Sequence, residues 1–183
     1  EGPEETPDAK KKNEPIKEIE YLDEAEIFGS APASVTDAAD AAGASILAAL
    51  LAGKHRMLVD VRDAELSRDQ DVLVQFIELA ILPVAAGLEG LKTQKNRVKI
   101  VFPTVSQLME YRRTMALAAP EVVSLSTLGF DPVEKRDNLV VIVAPAPDDE
   151  EGLMQMNQLL SSNSIRQPVV VLNHHMVPLE GPG

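Results

Sequence analysis

Three short stretches in the second half of the chain, residues 98–102 (VKIVF), 139–144 (LVVIVA) and 169–172 (VVVL), show little or no alternation of apolar with polar positions and are rich in β-branched residues. A strand with one wet face alternates, whereas a strand covered by helices on both faces does not. The three runs therefore predict buried strands of a parallel sheet. Residues 57–61 (MLVDV) read as an earlier strand of the same kind, and residues 122–125 as a weaker one.

The intervening segments carry helical spacing. Val35, Ala38, Ala39, Ala42, Ile46, Leu47 and Leu50 fall on one helical face, which predicts a helix over residues 35–52 with Ser34 as cap, Asp37 as its capping-box acid and Gly53 as the left-handed stop. A second stripe of Val72, Leu73, Phe76, Ile77, Ala80, Val84 and Leu88 predicts a helix that opens at Ser67 and Gln70 and is kinked or ended by Pro83. Thr104 with Gln107 opens a helix reaching to about Ala119. Asp131, Pro132 and Glu134 predict a short helix, and Asp148 caps a last one whose first-turn acids Asp149, Glu150 and Glu151 suit the positive end of the helix dipole. With right-handed crossovers these elements make an α/β fold: a three-layer, doubly wound, mostly parallel sheet of about five strands, Rossmann-like, with an extra N-terminal helix.

Composition narrows the function. Only 3% of the 183 residues are aromatic against 45% apolar, so the core is built from Val, Leu, Ile and Ala. The net charge of −12 opposes nucleic-acid phosphates and anionic lipid, and no nucleic-acid partner is expected. The lack of cysteine removes disulfides, thiolate nucleophiles and Cys-ligated metals. No uninterrupted apolar run approaches the roughly 20 residues of a membrane span, and the acidic start is unlike a basic leader, so any targeting peptide is expected to have been removed or never present. Residues 1–33 hold ten acids against four lysines with four prolines, which predicts a flexible arm ahead of an α/β domain over residues 34–183. Tyr21, Leu22, Ile27 and Phe28 are the arm's apolar anchors, packing on the domain or docking on a partner as a short linear motif.

Ligands of such sheets bind beyond the carboxyl ends of the strands, where the strand order reverses. An order of 3-2-1-4-5 puts that crevice between the first and fourth strands. Asp60 and Arg62 then approach Pro145 and Asp148, with Thr104, Ser106, Asn173 and His174 on the rims. Arg62 beside a helix N-terminus could hold an anion, or serve as a surface ion-pair partner. The stretch after the first strand, Arg62, Asp63, Ala64, Glu65, Leu66, lacks the glycines of a dinucleotide fingerprint, and Gly53 and Lys54 precede a strand where a P-loop follows one. A triad of Ser106, His174 and Asp60 lacks a nucleophile elbow, and adjacent His174 and His175 point apart on extended chain. No catalytic residue, metal or cofactor is expected.

The segments AALLAGKHRMLVDV (residues 48–61), VKIVFP (98–103), DNLVVIVAPAP (137–147) and QPVVVLN (167–173) resemble a family of domains of unknown function found in cyanobacteria and plastids. Its members include a plant protein named for low photosystem II accumulation and a version fused to a plastid adenylate kinase. The likeness covers residues 34–175, departs where His174 stands in place of a frequent proline, and leads one to expect a longer domain than one ending at Gly183. It implies no catalytic residues. It does imply a chloroplast setting, in the stroma or at the stromal face of the thylakoid, and a non-enzymatic accessory role in photosystem biogenesis or maintenance. The partner it implies is a thylakoid membrane complex or another assembly factor. The competing reading is a nucleotide- or phosphate-binding domain using the crevice, either as a binder alone or as an enzyme.

Overall fold

Six parallel strands form one sheet in a computed structural model that describes residues 20–21, 35–91, 97–114, 123–130, 133–177 and 179. The strands are β1 (Glu20–Tyr21), β2 (Arg56–Asp60), β3 (Arg97–Phe102), β4 (Val123–Thr127), β5 (Asp137–Val143) and β6 (Val169–Asn173). The helices are α1 (Val35–Leu51), α2 (Ala64–Arg68), α3 (Gln70–Leu91), α4 (Val105–Thr114) and α5 (Glu150–Leu160). The five longer strands stand at the unalternating runs, at 56–60 and at the weaker run near 122–125, with helices on both faces and α1 ahead of β2. That is the α/β architecture the sequence pattern predicts.

The order across the sheet, β1-β2-β6-β5-β3-β4, corrects the expected 3-2-1-4-5 arrangement. β6 separates β2 from β5, so the crevice expected between those two strands does not form. The connection after β2 holds both α2 and α3, long enough to carry the chain past two strand positions to β3. β6, buried at all five residues, fills the gap this leaves. β1 is an addition: within the acidic segment, Glu20 and Tyr21 pair in parallel with Met57 and Leu58 on the outer edge of β2. Leu22, Ile27 and Phe28, named above as arm anchors, lie outside the described residues.

Strand residues alternate between two cores. Val98, Ile100, Phe102, Leu139, Val141 and Val143 pack under α1, α3 and α4, while Val101, Val140, Ile142, Val169 and Val171 pack under α5. The first core is closed by two long helices in close contact. A Cβ at Gly43 of α1 would stand 2.7 Å from the Ala80 carbonyl oxygen of α3, so only glycine permits this approach. Gly53, at φ +86°, ends α1 as predicted, with Gly53 N–H donating to the Leu50 carbonyl and Lys54 N–H to that of Ala49, each at 3.0 Å.

Several local expectations are corrected by specific hydrogen bonds. Asp63 caps α2 through Glu65 N–H at 2.8 Å, and Asp69 accepts from Asp71 N–H at 3.0 Å at the start of α3. Ser67, read as a cap, instead donates to the Ala64 carbonyl inside α2 at 3.0 Å. α3 runs unbroken through Pro83, so proline does not end it. The Gln70–Gly87 stretch has the length and apolar composition of a membrane-spanning helix, contrary to the reading from uninterrupted runs; half of it is buried, and Val74, Phe76, Ile77 and Val84 belong to the core. Thr104 caps α4 as predicted, accepting from Gln107 N–H at 3.1 Å. The expected end of that helix near Ala119 lies outside the described residues, as do Ser34, Val122, Asp131 and Pro132.

Glu134 does not begin a helix. Residues 133–136 are an irregular turn, closed by Glu134 N–H donating to Asp137 Oδ2 at 2.7 Å and Asp137 N–H to the Glu134 carbonyl at 3.0 Å. The acids of this turn hold Arg97, whose Nε donates to Asp137 at 2.7 Å and whose Nη2 donates to Glu134 at 2.7 Å. Burial alone works against the guanidinium charge, but the two carboxylates outweigh it and hold Arg97 above its ordinary range. Lys99 Nζ, also buried, stands 3.8 Å from Asp137.

Candidate functional site

At the carboxyl ends of β5 and β6, on the α5 side, lies a cleft of about 310 Å³ lined by Pro145, Pro147, Leu153, Asn173, His175, Val177 and Leu179. One wall is the turn into α5. Asp149 caps that helix by accepting from Gly152 N–H at 2.9 Å, which shifts the cap one residue from the predicted Asp148. Gly152 lets the helix come close, since a Cβ there would stand 3.0 Å from that of Pro145. The other wall is the segment after β6, which folds back across the strand ends.

Asn173 builds that wall. Its Nδ2 donates to Asp60 Oδ1 and to the Val177 carbonyl, each at 2.8 Å, and its Oδ1 accepts from His175 N–H at 3.3 Å. Both amide hydrogens are engaged, so Asn173 lines the cleft as a brace. The turn it braces places Met176 at φ 64°, a left-handed conformation that a side chain adopts at a cost. His175 Nε2 donates to the Ala144 carbonyl at 3.0 Å, which ties the turn to the end of β5.

His174 lies buried against the His175 ring, which corrects the expectation that the adjacent histidines point apart: the turn after β6 is not extended chain, and it brings the two rings together. His174 is 3% exposed, its ring centroid lies 3.9 Å from that of His175, and its Nδ1 has no hydrogen-bond partner. Burial, aided by His175, pushes its pKa down to about 3, so the ring stays neutral at ordinary pH.

The residues singled out from the sequence thus divide. Asp60, Asn173 and Pro145 come together at the ends of β2, β6 and β5, joined by the Asn173 bridge and the cleft. Arg62 and Asp148 are exposed on the turns after β2 and β5 and do not line the cleft. Thr104 and Ser106 stand at the start of α4, beyond β3, on the opposite side from α5. They flank the true reversal of winding, which lies between β3 and β5 because α4 and α5 leave those neighbours toward opposite faces. His175, Val177 and Leu179 line the cleft without having been singled out as site residues. The signal for them was the Asn173 side chain, which can clamp a turn to its own backbone. Among the described residues no group of three or more His, Cys, Asp or Glu comes together to hold a metal.

No curated protein and no solved structure matches the chain. A family model described as "Domain of unknown function (DUF1995)" matches residues 32–180, a stretch that takes in α1, all of β2 to β6 and both walls of the cleft. The chain therefore belongs to the DUF1995 family.

Proposed function

We propose that this chain is a non-enzymatic interaction protein and that the cleft beside α5 is its docking surface. The lining carries this reading. Pro145, Pro147, Leu153, Val177 and Leu179 present apolar surface, while the polar groups of Asn173 and the Nε2 of His175 are engaged in holding the wall. A phosphate in this position would meet no lysine or arginine in the described lining, and Glu150 and Glu151 of the adjoining helix turn would repel it. The resemblance to cyanobacterial and plastid domains directs the role to photosystem biogenesis or maintenance. The partner is a thylakoid membrane complex or another assembly factor at the stromal face in the chloroplast, and the acidic N-terminal segment contributes to the contact.

Co-sedimentation with thylakoid membranes, with and without residues 1–33, tests the reading. The intact chain is expected in the pellet, and the shortened chain there in smaller amount. Recovery of the intact chain wholly in the supernatant overturns it. A rise in Tm on adding nucleotide that Arg62→Ala abolishes would instead establish the phosphate-binding alternative; saturation at 100 times Kd adds about 2.7 kcal/mol.

A further inference from the structure

We infer that the cleft receives a peptide segment in which a bulky apolar side chain is followed or preceded by lysine or arginine; this rests on the docking role proposed above. The cleft volume of about 310 Å³ lies at the small end of ligand pockets, which run from about 300 to 1,000 Å³, and suits a side chain or two of a peptide better than a large cofactor. Its body is apolar.

Charge decides what flanks the anchor. The turn that forms one wall continues from Pro147 into Asp148, Asp149, Glu150 and Glu151, all acidic, and Asp148, Glu150 and Glu151 are exposed. Asp149 is occupied with its cap, and among the described residues the side chains of the other three have no hydrogen-bond or ion-pair partner. Basic residues beside the anchor meet this turn, and the whole-chain charge of −12 steers them toward it.

The full chain, isotope-labelled at its methyl groups, is titrated with three peptides of equal length. One carries a central Leu-Phe step flanked by lysines, one the same step flanked by glutamates, and one lysines around a central Ser-Gly step. The first is expected to move the methyl signals of Leu153, Val177 and Leu179 and to bind about tenfold more tightly than either of the others. Glu150→Gln with Glu151→Gln, both on the surface, should reduce that preference about threefold while leaving the methyl spectrum of the free chain intact. Equal binding of all three peptides, or binding of the first without movement of those methyl signals, overturns the inference. Failure of the native chain to sediment with thylakoids while the lysine-flanked peptide still binds would remove the photosynthetic partner and leave the cleft's chemistry standing; sedimentation without peptide binding would do the reverse.

Discussion

Against one face of the sheet lie α1, α3 and α4; against the other lie α5 and the connections around it. The first face is closed by helices pressed together at Gly43 and Ala80, and its core residues Ala39, Val74, Phe76 and Ile77 are wholly buried. The second combines a smaller apolar core with a buried ionic group at one end of the strands and an open cleft at the other. Close packing leaves no room for a ligand. The thinly covered face keeps polar groups and space, and the surface available for recognition lies there.

Substitutions on the two faces should separate these roles. Phe76→Ala, in the closed core, is expected to lower unfolding free energy by about 3 to 5 kcal/mol, whereas Leu153→Ala, on the wall of the cleft, should cost about 2 kcal/mol because the space it leaves opens to water. Urea denaturation of both variants measures the gap. Asp137→Ala removes a fully buried carboxylate from Arg97 and Lys99 and should cost about 3 to 5 kcal/mol by the same measurement, since it leaves buried cations short of a partner. A loss under about 1 kcal/mol would mean the ionic group is solvated rather than structural.

The pH dependence sharpens the comparison at the carboxyl ends. His174 has a folded pKa of about 3, against an ordinary value near 6.5 in the unfolded chain. The unfolded state binds the proton first, so the contribution of the neutral ring is complete above about pH 6.5 and is lost as pH falls from there toward 3. The loss attributable to this ring at pH 5 should be about 2 kcal/mol. His174→Phe keeps a ring in the site and should flatten the stability profile by that amount between pH 7 and pH 5. The smallest effect concerns the wall alone: Asp149→Ala removes the cap on Gly152 and should cost about 1 kcal/mol of stability, read from urea denaturation.

The strands were legible because burial on both faces leaves a local mark: VKIVF and LVVIVA need no knowledge of their neighbours to be read. Gly53 and Thr104 were equally local, each acting on residues within a turn of itself. Strand order was not, because it depends on how far α2 and α3 carry the chain before β3. Asp131, Pro132 and Glu134 imitate a helix start, yet Glu134 answers to Arg97, far away in sequence. The cleft was half legible. Its strand-end residues Pro145 and Asn173 follow from the fold class, whereas Val177 and Leu179 enter only because Asn173 bridges Asp60 to the returning chain.

The most direct test compares exposed apolar residues on the two faces, Val177 on the cleft rim and Val105 on α4, in co-sedimentation of the full chain with thylakoid membranes. Val177→Lys should weaken membrane association about tenfold, while Val105→Lys leaves it unchanged. Loss of association in Val105→Lys with retention in Val177→Lys would contradict the assignment of docking to the cleft.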